Sequence, residues 1–130
     1  MLYKSIGLRV IFLYNKLMLN LSSLMIGTMQ PKVLADFYEK VFEKPADMTD
    51  GGWGWQVDKG FLMVMEHSEM GGDAKDPGRL MFNFETDDVK GHFERISKID
   101  GVRVVKEPYQ MGDAWIATLG DPDGNLFQLT

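Results

Sequence analysis

The sequence predicts an α+β domain: two βαβββ modules forming a curved mixed sheet around a cleft, with the helices outside. Three observations carry this expectation. One order of elements runs twice along the chain. Each repeat holds a single helical segment with one apolar face. The chain also closes on a strand, a tight turn and an alternating strand.

Copy one spans about 19–67. It opens with Leu21-Ser22-Ser23-Leu24-Met25-Ile26-Gly27-Thr28, read as a strand. Pro31 then stands at the first helical position, where its missing N–H costs nothing. Leu34, Phe37, Tyr38, Val41 and Phe42 follow at helical spacing. Lys44-Pro45 ends that helix. Short strands are expected near 46–49, at 52–57 and at 61–66, with Asp58-Lys59-Gly60 as a hairpin turn.

Residues 68–78 are rich in Gly and polar side chains without periodicity, and read as a linker. Copy two spans 79–130. Arg79-Leu80-Met81-Phe82-Asn83-Phe84 alternates as its first strand. Thr86 or Asp87 can cap the next helix, and Asp88 suits its first turn. Val89, Phe93 and Ile96 share one face of that helix. Strands follow at 102–107, 114–119 and 125–129. Asp121-Pro122-Asp123-Gly124 has the Asp, Pro and Gly that a type I turn favours at i, i+1 and i+3. In the last strand Phe127 and Leu129 share one face, so Gln128 points away from the core.

Each copy alone buries little apolar area. Pairing the two covers the helical faces and leaves a cavity inside, a natural small-molecule site. Residues 1–17 break the pattern and read as an atypical N-terminal extension, with the domain at 18–130. The alternative is an extra element docked on the domain or a partner. Its apolar run, interrupted by Arg9, is too short to span a membrane.

The 130 residues carry 14 basic and 19 acidic side chains, a net charge of −5 with no basic run, which argues against nucleic acid as partner. There is no Cys, so thiolate metal sites and Cys nucleophiles are excluded. A cytoplasmic location is compatible with that composition.

Two segments resemble a known superfamily. Leu34-Ala35-Asp36-Phe37-Tyr38-Glu39-Lys40-Val41-Phe42 is similar to the first helix of the vicinal oxygen chelate group, and the segment from Leu119 to Leu129 resembles its C-terminal signature. Phe84-Glu85-Thr86-Asp87-Asp88-Val89 resembles its second-half entry. That group includes glyoxalase I, bleomycin and fosfomycin resistance proteins and extradiol dioxygenases. The resemblance implies a divalent cation held by His and Glu on four strand positions. Those positions here carry Ser23, Val64, Met81 and Gln128. None is a His or a carboxylate, so no metal and no cofactor is expected.

The expected ligand-binding residues are Ser23, Trp53, Trp55, Val64, Arg79, Met81, Asn83 and Gln128. Trp53 and Trp55 share a strand face beside Gly51, Gly52 and Gly54, which opens room for a bulky ligand or suits core packing. Arg79 can pair an anion or stay solvated. Glu66 is the one weak catalytic candidate, either an orienting carboxylate at the cleft mouth or an exposed strand-end residue. His67 and His92 form no triad, since no paired nucleophile is apparent. Trp115 is a further binding candidate.

The expected function is metal-free binding of a small organic molecule in the cleft between the modules. By resemblance this means sequestration or sensing by a homodimer. The alternatives are a divalent-metal-dependent lyase, isomerase or dioxygenase of the same superfamily, and a domain that only binds protein partners.

Overall fold

The computed structural model describes residues 19–130; the N-terminal extension at 1–17 lies outside them. Strand β1 (Ser23–Thr28) leads through Gln30 into helix α1 (Pro31–Phe42), with Pro31 in the first turn as expected. Strands β2 (Trp53–Val57) and β3 (Gly60–Glu66) complete the first half. The strand expected near 46–49 is reduced to one antiparallel bridge between Met48 and Gly54. Lys44 and Asp47 hold that segment by side-chain bonds to the backbone of Gln56, so little ladder is needed.

Strand β4 is shorter than expected, covering only Phe82–Phe84, because Pro77–Arg79 coil into a single 3₁₀ turn. Helix α2 (Val89–Ile96) is capped by Asp88 rather than Thr86 or Asp87. The Asp88 carboxylate accepts from the Gly91 N–H at 3.0 Å, the reach an N-cap side chain has to the third helical residue. Strands β5 (Arg103–Met111), β6 (Ala114–Gly120) and β7 (Leu126–Leu129) follow.

The strands form two mixed sheets, β1-β3-β2 and β4-β7-β6-β5, in an α+β architecture of two repeated modules with no closed barrel. Parallel pairing of β1 with β3 and of β4 with β7 is the corresponding step in each half. No helix among the described residues is long and apolar enough to cross a membrane.

Helix α1 joins the halves. Leu34, Ala35, Phe37, Tyr38 and Val41 are its buried face. The Tyr38 ring lies 6.5 Å from Trp55 of the first sheet, and 6.5 and 6.4 Å from Phe82 and Phe127 of the second. Phe42 meets Phe84 edge-on at 5.4 Å. Edge-to-face and tilted aromatic pairs of this kind add to the area they bury.

One polar knot sits inside this packing. The Tyr38 hydroxyl donates to Asp121 Oδ2 at 2.7 Å, and both side chains are fully buried. Asp121 Oδ1 also accepts from the N–H groups of Asp123 and Asn125, and Oδ2 from the Asn125 amide. The backbone bond from Gly124 to Asp121, with Gly124 at φ +83°, closes the expected turn. Burial raises the Asp121 pKa above the ordinary carboxylate value, against the pull of the Tyr38 and Asn125 hydrogen bonds. Burial, then the nearby Asp121 charge, holds the Tyr38 phenol well above its usual range.

Two outcomes follow for stability. Tyr38→Phe lowers the urea-unfolding free energy by about 1–2 kcal/mol, and Asp121→Ala by more, because it leaves a buried hydroxyl and two backbone donors unpaired. The alkaline limb has a definite sign. The unfolded phenol ionises near pH ~10 while the folded one keeps its proton, so stability falls as pH rises above that value. Tyr38→Phe flattens the limb; equal slopes for both proteins in urea titrations at rising pH would contradict the assignment.

Candidate functional site

A groove of about 550 Å³ opens where the two sheets part, between the β1 edge and the β4 edge. Ser22, Ser23 and Leu24 form one wall, Phe61 and Leu62 the floor, and residues 80–84 the other wall. Because it follows a gap between sheets, the groove takes side chains of both strand faces.

Strand parity decides which residues reach it. On β7, Phe127 and Leu129 are buried under the helices, while Gln128 turns to the opposite face. Asn83 is the cross-strand partner of Gln128 and shares that face. The Gln128 amide donates to the Thr118 hydroxyl at 3.1 Å. On β3, Leu62 and Val64 are the buried residues, and Phe61, Met63 and Met65 lie on the other face. Met25 is the register partner of Met63 there. The inner face is therefore thioether and aromatic in the first module, carboxamide and hydroxyl in the second.

Three expected residues, Ser23, Met81 and Asn83, come together on the groove, with Gln128 one strand in from Asn83. The others are placed elsewhere. Val64 has no exposed surface and packs in the core with Leu62. A single step along a strand changes the face, so the residues of β3 turned away from the core are Phe61, Met63 and Met65. Trp53 and Trp55 pair with Val64 and Leu62 across the β2–β3 ladder, which puts both on the core side. Trp55 is completely buried, and its indole N–H donates to the Lys44 carbonyl at 3.1 Å. Gly52 and Gly54 do not open room for a ligand. A Cβ on Gly54 would collide with the Phe61 ring, and one on Gly52 with the Met65 sulfur.

Arg79 ends the 3₁₀ turn, exposed, and faces Asp76 at 3.4 Å rather than the groove. Glu66 shares the Leu62 and Val64 parity and stands exposed at the end of β3. His67 is exposed beyond it; its Nδ1 accepts from the Glu69 N–H. His92 on α2 meets Arg95 at 3.2 Å, and Lys90 lies 3.7 Å above the Trp115 ring, both outside the groove. Leu24, Phe61 and Leu80 are groove residues that the sequence reading did not single out. No polar mark distinguishes them from core residues, so no signal was there to find.

A shallower recess of about 720 Å³ lies at the end of α1, lined by Glu39, Lys40, Glu43 and Arg95 among others. Arg95 is committed there to capping α1: it donates to the Lys40 and Val41 carbonyls and pairs with Glu43. That recess is the outer seam between the helices.

The donor set at the four strand positions does not fit a divalent cation. Val64 faces the core, and the others offer a hydroxyl, a thioether and a carboxamide, where Zn or Mn would need imidazole or carboxylate. Among the described residues no group of three or more His, Cys, Asp or Glu side chains converges.

If Trp55 is a core residue, Trp55→Phe lowers stability by about 1–3 kcal/mol through lost volume and the lost indole bond. A urea midpoint equal to that of the parent protein would contradict this placement.

The family model "Glyoxalase-like domain" matches residues 23–130. No curated protein sequence matches the chain. Among solved structures, a glyoxalase/bleomycin resistance protein from Albidiferax ferrireducens is 17% identical with a TM-score of 0.67, over 83% of this chain and 95% of that one. A glyoxalase/bleomycin resistance protein/dioxygenase family enzyme from Burkholderia phytofirmans is 22% identical with a TM-score of 0.66, over 85% and 97%. The fosfomycin resistance protein FosX from Mesorhizobium loti is 16% identical with a TM-score of 0.68, over 85% and 89%. At these identities the likeness is one of fold.

Proposed function

The chain belongs to the glyoxalase-like domain family, and from that premise we propose that it binds a small organic molecule in the groove between its two modules, without a metal ion. One observation carries the reading. Ser23 of the first module and Met81 and Asn83 of the second converge on a groove of about 550 Å³. That volume suits a small organic ligand. The neutral donors at the superfamily's metal positions, and the placement of Glu66 away from the groove, favour sequestration or sensing over turnover. Relatives named for bleomycin and fosfomycin resistance make this reading natural for the fold.

A second copy of the chain covers the groove's apolar rim. Leu24, Leu80 and Met81 line the groove and are 40%, 81% and 44% exposed, a cluster that a lone domain gains nothing by leaving in water. The cleft is then shared within a homodimer. A chain without Cys suits the reducing cytoplasm.

Two measurements test this. Protein purified without chelator carries Zn, Ni, Mn and Fe far below one ion per chain. Near-stoichiometric metal that Gln128→Ala abolishes would instead favour a metal-dependent lyase, isomerase or dioxygenase. Sedimentation velocity gives a dimer, and Leu80→Glu shifts it towards monomer. A monomeric parent protein at high concentration would remove the shared cleft from the proposal.

A further inference from the structure

We infer that the ligand of this groove is an uncharged molecule, mostly apolar, with one neutral hydrogen-bonding edge. The inference rests on the groove being the binding site. A quarter of the chain is charged, yet none of the described residues lining the groove carries an ionisable side chain. Asp58 and Lys59 flank the lining segments at the β2–β3 turn, and Arg79 and Glu85 flank the β4 wall. All four are exposed, and none lines the groove. Arg79 is turned to Asp76.

The physical consequence is direct. An ionised ligand group entering the groove gives up water and meets no counter-charge among the described lining residues, and this loss exceeds what apolar contact returns. The groove offers instead the apolar surfaces of Leu24, Phe61, Leu80 and Met81. Its polar groups are the Ser22 and Ser23 hydroxyls and the exposed Asn83 carboxamide. Hydroxyls and a carboxamide both donate and accept, so they match an alcohol, phenol, ketone or amide edge. They supply no counter-charge for a carboxylate, phosphate or ammonium.

A pair of dyes isolates the charge. N-phenyl-1-naphthylamine is neutral, and 1-anilinonaphthalene-8-sulfonate is the same ring system with a sulfonate. Both are titrated by fluorescence against the full chain and against Met81→Lys and Met81→Gln, with thermal unfolding confirming that each variant folds. Met81 is 44% exposed in the single chain and lies on the rim assigned to the second copy, so sedimentation velocity of each variant checks that its oligomeric state matches the parent's. The neutral dye is expected to bind the parent protein at least ~10-fold more tightly than the sulfonate. Met81→Lys is expected to tighten the sulfonate by ~10-fold and to leave the neutral dye equal or weaker, while Met81→Gln does not tighten it.

Equal affinity for the two dyes, with Met81→Lys still strengthening the sulfonate, would overturn the uncharged ligand and leave the groove standing as the site. If neither dye binds, or if Met81→Lys alters neither, the groove is not the binding site. The inference then fails together with the reading beneath it.

Discussion

The buried bond between Tyr38 and Asp121 is the constraint on which the rest of the molecule depends. It runs from the helix of the first module to the closing turn of the second. A carboxylate without exposed surface is costly unless its oxygens are filled, and four donors from Tyr38, Asp123 and Asn125 fill them. The turn, the helix and both sheets are thereby locked to one another. Gln30 strengthens the link. Instead of capping α1, its side chain donates to Asp123 at 2.6 Å. Since the groove is the gap left between the two sheets, its width follows from this junction.

The same module used twice has acquired two different inner faces. The first presents Met25, Phe61, Met63 and Met65, soft side chains that adapt to a ligand's shape. The second presents Asn83, Gln128 and Thr118, polar but uncharged. Of these residues Phe61 and Asn83 line the groove. None of the described residues lining the groove carries an ionisable side chain. Among the described residues several charges pair at the surface, such as Lys32 with Asp36 and Arg103 with Asp73. Exposed pairs of this kind contribute little to stability.

Legibility in the sequence tracked polarity. Phe127-Gln128-Leu129 alternates apolar and polar, so its facing was readable and the structure agrees. Phe61-Leu62-Met63-Val64-Met65 is apolar throughout, and nothing in it says which residues face the helix. Val64 therefore stood as a groove residue until packing under α1 placed it in the core. Trp53 and Trp55 were correctly put on one face, but their glycine neighbours were read as making space. The structure fills that space with Phe61 and Met65. Arg79 was read as a strand residue because Arg79 to Phe84 alternates; Pro77 instead starts a 3₁₀ turn that ends on it.

Local chemistry by itself determined the repeated order of elements, both helices and the closing turn. These depend on residue spacing and side-chain type, which the chain displays directly. Only the tertiary structure decided which face of β3 looks inward, which aromatic rings are core, and that the candidate site is a gap between sheet edges. The reason is physical. A strand's two faces are equivalent until something packs against one of them, and here the packing partners of Tyr38 lie in both modules, far apart in sequence.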